Sequence, residues 1–127
     1  MKTSFILTAH PYGKRLLVAI GISKEELLKE VKKYKLRSGI YKMIKEEKHI
    51  PFKHNTAMTY YDTNYANAVI YLNKFEFKPK WISILSHEIN HFGVVIMQNV
   101  GVNIMKEDEP FYYTTEELLE KILKRFK

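Results

Sequence analysis

The sequence predicts an α+β fold. One domain, residues 1–127, has a small mixed β-sheet packed on a buried helix and on a C-terminal helix. Three observations support this prediction. A chain of 127 residues has the length of one domain with one modest core. Hydrophobic residues make up 46% of the chain and charged residues 28%, which is typical of globular proteins and argues against disorder. Short runs of β-forming residues alternate with segments of helical periodicity.

The first part of the chain predicts two strands and a helix. Residues 3–9 and 15–20 are short apolar runs, and the turn-forming residues 11–13 between them indicate a hairpin or strand pair. Ser23 followed by Glu26 is a capping box, so a helix begins there and should continue to Ser38 and Gly39, where a stop is expected.

Residues 40–56 are ambiguous, because their first half could form a short helix that Pro51 would end. Residues 57–61 and 68–72 are rich in β-forming residues and predict two further strands.

Two longer helices follow. Pro79 suits the first turn of a helix that runs to about Val100 and stops at Gly101. This helix is apolar on most sides, which predicts a central position, and its expected core stripe comprises Ile82, Leu85, Ile89, Phe92, Ile96 and Val100. Asp108 can cap a last helix that begins at Glu109, with Leu118, Leu119, Ile122 and Phe126 facing inward.

Composition restricts the chemistry. Cysteine is absent, so disulfides and Cys-ligated metals are excluded and His, Glu, Asp and Tyr remain as strong metal ligands. Residues 1–54 carry 13 Lys and Arg against 5 Asp and Glu, whereas residues 55–127 carry 8 against 9. Such a basic half is commonly only a solvated surface, and nucleic acid or another polyanion is the alternative.

No membrane partner is expected. Residues 5–9 are too short for the apolar region of a signal peptide, and the longest apolar stretch, near residues 92–97, cannot span a bilayer. We therefore expect a soluble protein made inside the cell.

The sequence His-Glu-Ile-Asn-His at residues 87–91 is the most informative motif. A helix brings residues four apart onto one face, so His87 and His91 can ligate one cation while Glu88 lies beside it. Zn²⁺ is the expected cofactor, and Glu88 is the candidate general base for peptide or amide hydrolysis. The alternative is a polar stripe that happens to contain two histidines. We disfavour it, because polar groups in an apolar helix are costly without partners.

A third ligand is expected among Glu107, Asp108 and Glu109, because an antiparallel return after Gly101 would bring them toward the histidines. Glu109 is preferred, since it would occupy the rigid first turn of the last helix. The alternative is that this acidic trio only complements a helix N-terminus.

Two further groups are candidates at the site. Zinc hydrolases commonly present a sheet edge that pairs with an extended substrate, and residues 67–73, with Val69 and Tyr71, are the candidate strand. An ordinary core strand explains them equally well. Tyr112 and Tyr113, near Glu109, are candidate donors to a developing oxyanion.

His87, Glu88 and His91 resemble the motif of the zincin metallopeptidases in their gluzincin form, and Glu109 is a candidate for the downstream glutamate of that form. Metzincins match poorly, because Val94 and Met97 stand where they require Gly and His. The segment from Ala68 to Phe126 is also similar to small, mostly uncharacterised H-E-x-x-H proteins of tailed bacteriophages. This resemblance covers roughly half the chain, and only the H-E-x-x-H motif within it is specific.

The resemblance implies a minimal zincin-like domain and a phage setting: a location in the host cytoplasm, with or without association with the virion. The first hypothesis is a zinc metallopeptidase that acts on short peptides or on one phage protein. The second is a structural or accessory phage protein that keeps the fold, without catalysis, and binds a protein or nucleic acid through its basic N-terminal half. Fold alone does not decide between them.

Overall fold

The computed structural model describes residues 2–36, 38–48 and 57–126, and in them the chain is α+β. Within these ranges the elements, in chain order, are β1 (Thr3–Ala9), β2 (Lys14–Ile20), α1 (Lys24–Lys33), α2 (Ser38–Glu46), β3 (Ala57–Tyr61), β4 (Ala68–Leu72), α3 (Pro79–Val100) and α4 (Glu109–Lys124). The predicted fold class is therefore confirmed.

The four strands form one mixed sheet in the order β1-β2-β4-β3. β1 and β2 are the predicted antiparallel hairpin, β2 pairs in parallel with β4, and β3 pairs antiparallel to β4. A parallel pair needs a long crossover, and here the connection from β2 to β4 carries α1, α2 and β3. β1 and β3 are consequently the two edge strands.

Side chains that alternate along the strands build a core on each face of the sheet. On one face Leu16, Val18 and Ile70 pack in a cluster with residues of α3 and α4. On the other face Leu17 and Val69 pack with residues of α1 and α2. Sequence analysis predicted the first layer but not the second, because nothing local shows which face a helix covers.

The bounds of α3 confirm the prediction from Pro79 and Gly101. Gly101 ends the helix in the left-handed conformation with a φ of 79°, which glycine adopts without strain. Of the predicted core stripe, Leu85, Ile89, Phe92 and Ile96 are buried, whereas Val100 is 39% exposed. The stripe therefore ends one turn before the helix does.

α1 has the predicted capping box at Ser23 and Glu26, but the predicted end of the helix is wrong. The helix stops at Lys33, because Lys35 takes a left-handed φ of 54° and the Leu36 amide turns back to the Val31 carbonyl. Ser38, taken from the sequence as part of a stop signal, instead begins α2. The predicted effect of Pro51 lies outside the described residues.

α4 packs closely against α3 where Gly93 faces it. A Cβ atom built on Gly93 would lie 2.5 Å from Thr115 Cγ2 and 2.8 Å from Phe111 Cε2. Asp108 occupies the N-cap position of α4, but its side chain makes no capping hydrogen bond, so only the position of the predicted cap is confirmed.

Within the described part of the chain, the structure has no helix that combines the length and the apolar character needed to cross a bilayer.

Candidate metal site

His87 and His91 lie one turn apart on α3 and direct their rings toward each other. Their Nε2 atoms are 3.0 Å apart, and their ring planes are nearly perpendicular, at 86°. This arrangement follows from the spacing of four residues, which stacks side chains on one face of a helix. The predicted juxtaposition of the two imidazoles is present.

Glu88 is buried between α3 and the sheet, with 7% of its surface exposed. Its Oε2 atom is 3.9 Å from His87 Nε2. Its Oε1 atom accepts a hydrogen bond of 3.0 Å from the Thr59 hydroxyl on β3. The carboxylate therefore adjoins the histidine pair on one side and is anchored to the sheet on the other.

These three residues could hold a metal ion. One ligand atom from each of His87, Glu88 and His91 lies within 4.8 Å of the other two. Two imidazole nitrogens that share one zinc ion through bonds of about 2.0–2.1 Å must be closer together than about 4.2 Å, and the separation of 3.0 Å meets this requirement. The same distance also suits an N–H···N bond between neutral rings. The donor set fits a cation that prefers nitrogen and oxygen ligands.

The surroundings of the two histidines differ from those that the sequence predicted. The histidines were expected to be embedded in an apolar helix, where they would be costly without a ligand. Instead both are exposed, and 69% of the His87 side-chain surface is accessible. The reason is that α3 buries its faces toward the sheet and toward α4, and leaves the stripe of His87 and His91 open. The case for a metal therefore depends on geometry and not on burial.

Glu109, the preferred third ligand, is not brought to the histidines. It lies in a groove formed with His10, Pro11 and Tyr12 of the β1–β2 turn. Gly93 lies on the side of α3 that faces α4. His91 is two residues before Gly93, which corresponds to a rotation of about 200° around the helix axis, so His91 points away from α4. Of the described His, Asp and Glu residues, only Glu88 joins the pair; Glu107 and Asp108 do not.

The candidate oxyanion donors, Tyr112 and Tyr113, lie on α4. Tyr112 and Tyr113 are exposed in the first turn of α4, at 52% and 67%. Tyr113 lines the same groove as Glu109, and the Tyr112 ring contacts Phe111. The predicted neighbourhood of Tyr113 and Glu109 is therefore present.

The candidate substrate strand is corrected. Val69 and Tyr71 belong to β4, which is paired on both sides and whose residues are all buried. The Tyr71 hydroxyl donates to the Ile22 carbonyl at 2.8 Å, and burial raises the pKa of Tyr71. This is the ordinary core strand that the sequence left as an alternative, and it has no free edge for a substrate.

Residues 57–61 were predicted to form a strand, and β3 confirms this, but neither its place beside α3 nor the contact of Thr59 with Glu88 was predicted. β3 is an edge strand that pairs only with β4 among the described strands, and it packs beside α3. Thr59 gives no local signal, because threonine is a common β-forming residue. Only the tertiary placement of α3 against β3 shows that its hydroxyl reaches Glu88.

Comparisons of the chain with models of protein families, with curated proteins and with solved structures find no match. The geometry of the site is therefore the basis for proposing a function.

Proposed function

We propose that this chain is a zinc-dependent hydrolase of peptide bonds. The observation that supports the proposal best is the convergence of His87 Nε2 and His91 Nε2 at 3.0 Å beside the buried Glu88 carboxylate. The two rings are exposed, so a substrate could approach them from solvent. The resemblance to zincins and to small phage proteins supports the same class, with a phage protein or a short peptide as substrate.

The residues have distinct roles in this proposal. His87 and His91 are the metal ligands, and Glu109 is left out of the ligand set because it lies in another groove. A bound zinc ion lowers the pKa of its water to about 7. Glu88 would then serve as the general base toward the attacking water and afterwards as the general acid toward the leaving amine.

β3 replaces β4 as the strand that could pair with an extended substrate. Among the described residues, β3 pairs with β4 alone and lies beside the helix that carries the histidines. Strand addition at such an edge supplies main-chain hydrogen bonds independent of the substrate sequence. Met58 and Tyr61 on this strand are 41% and 42% exposed and would flank such a peptide.

The proposal is tested with Zn²⁺-loaded protein and a library of unstructured peptides, with cleavage read by mass spectrometry. Glu88→Gln should retain the metal and lose at least about 100-fold in turnover, because general acid–base catalysis commonly contributes that much. Asn90→Ala, an exposed change between the ligands, is the matched control and should cleave normally. A metal-loaded wild type without cleavage, or a Glu88→Gln variant with full turnover, contradicts the proposal.

A second candidate function is polyanion binding through the outer surface of α1 and α2. Lys29, Lys32 and Lys33 on α1 and Lys42 and Lys45 on α2 are exposed. Lys32 Nζ lies 5.0 Å from the centre of the Tyr41 ring, so the two helices present one continuous basic surface that includes an aromatic side chain. Phosphate contacts from such a surface would be independent of the metal site.

Binding to DNA of random sequence, measured over a range of salt concentrations, tests this second function. Lys32→Gln should weaken binding and reduce the slope of log affinity against log salt by about one. Lys121→Gln removes the same charge from α4, where Lys121 is paired with Glu117 at 2.7 Å, and should have little effect. Affinity that does not depend on salt contradicts a polyanion surface.

A further inference from the structure

Thr59 occupies the middle of β3 and faces α3. Its neighbour Tyr60 packs with α1 and α2 on the opposite face of the sheet, as the alternation along a strand requires. Thr59 also pairs with Ile70 of β4, so its backbone is fixed by the sheet. A side chain at this point is therefore held in place by the pairing of β3 with β4.

The Thr59 hydroxyl lies within hydrogen-bond distance of two acceptors of the same residue. It is 3.0 Å from Glu88 Oε1 and 3.3 Å from the Glu88 backbone carbonyl oxygen. A hydroxyl has one proton to donate, and the shorter contact favours the carboxylate.

The two oxygens of the Glu88 carboxylate consequently have different surroundings. Oε1 is engaged by Thr59, while Oε2 is turned toward His87 Nε2 at 3.9 Å. Rotation of the carboxylate would break the Thr59 bond. Because Glu88 is almost fully buried, no bulk water is at hand to replace that bond.

We propose that Thr59 is a positioning residue that holds Glu88 Oε1, so that Oε2 stays directed toward the place where His87 and His91 would hold a metal. This inference depends on the proposed function, because it assigns Thr59 a role toward that metal. It adds a residue from β3, the same edge strand that would pair with a substrate. Glu88 is thereby oriented by the strand that positions the peptide.

The test uses Co²⁺ as a spectroscopic probe in five proteins: wild type, Thr59→Val, Thr59→Ser, Glu88→Ala and the double variant Thr59→Val/Glu88→Ala. Valine keeps the shape of threonine and its β-branched backbone preference, so Thr59→Val should fold. It should change the visible absorption of bound Co²⁺, and Thr59→Ser, which keeps the hydroxyl, should restore the wild-type spectrum. In the Glu88→Ala background, Thr59→Val should change nothing, because the two residues act as one unit.

With a cleavable peptide in hand, Thr59→Val should lower kcat by roughly 10- to 100-fold and leave KM almost unchanged, as expected when a reacting group is misplaced. If Thr59 only stabilised the fold, Thr59→Val would lower the melting temperature without altering the Co²⁺ spectrum or kcat.

The outcomes separate this inference from the proposed function. Wild type that binds no Co²⁺ overturns the proposed metal site. Wild type that binds Co²⁺, together with a Thr59→Val spectrum identical to it, overturns only the role of Thr59. A metal-free measurement decides the inference in either case: NMR couplings should show one Glu88 rotamer in wild type and several in Thr59→Val. One retained rotamer in the variant contradicts positioning by Thr59.

Discussion

The Nε2 atoms of His87 and His91 lie 3.0 Å apart on an exposed stripe of α3. Glu88, between them in sequence, points instead toward the sheet and is buried. One helix thus presents two imidazole rings to solvent and one carboxylate to the interior. Successive residues of a helix are separated by about 100°, which allows this division.

Glu109→Gln should leave the affinity for Zn²⁺ within about twofold of wild type, because Glu109 lies in the groove of the β1–β2 turn and not beside the histidines. Competition with a chromogenic chelator measures the affinity. Tyr113→Phe, in the same groove, should behave in the same way. A loss of affinity above tenfold in Glu109→Gln would restore Glu109 as a ligand.

Gly93→Ala should lower the free energy of unfolding by about 1–3 kcal/mol, which is the usual cost of overpacking. The added methyl group would meet Thr115 and Phe111 at the contact of α3 with α4. Chemical denaturation measures the loss. Thr115→Ser removes the nearest methyl group and should partly rescue the variant. Gly39→Ala, where a Cβ meets nothing within 4 Å, is the control and should not destabilise.

Glu26→Gln should destabilise the protein at neutral pH, by an amount that shrinks in acid. The backbone amide and side chain of Ser23 hold the pKa of Glu26 below its ordinary value of 4.5. A lowered folded-state pKa gives stability above the unfolded-state value, and this stability is lost as pH falls through the folded-state pKa. Unfolding curves from neutral to about pH 2 measure the difference in the free energy of unfolding between wild type and Glu26→Gln. A difference that does not vary with pH contradicts the prediction.

Arg15→Met should lower the free energy of unfolding by about 1.5–3 kcal/mol, the range for hydrogen bonds that involve a charged group. The Arg15 guanidinium donates to the Tyr34 and Lys35 carbonyls, which links the C-terminal end of α1 to β2. Thermal unfolding measures the effect. Arg15→Lys keeps the charge but cannot donate to both carbonyls at once with a planar group. It should therefore retain less than half of the stability that Arg15→Met loses.

Local signals predicted most of the fold. The bounds of α3 follow from Pro79 and Gly101, and the four strands follow from short β-forming runs. The end of α1 was missed because it depends on Lys35 in a left-handed conformation and on Arg15, a distant residue, which takes the last carbonyls. Sequence periodicity records neither feature.

The order of the strands limited the prediction of the site. The motif correctly placed His87 and His91 on one face, because that depends only on helical spacing. Val69 and Tyr71 were candidates for an edge strand, with an ordinary core strand as the alternative. The parallel pairing of β2 with β4 puts β3 at the edge instead. Long-range pairing of this kind also placed Thr59, and not Glu109, beside the motif.

The most direct test of the metal site is the zinc content of tag-free protein, measured by elemental analysis beside His91→Ala and Asn90→Ala. The account predicts about one ion per chain in wild type and in Asn90→Ala, and almost none in His91→Ala, because a single imidazole cannot hold zinc on its own. Equal zinc in all three proteins, or none in wild type supplied with excess Zn²⁺, would contradict it.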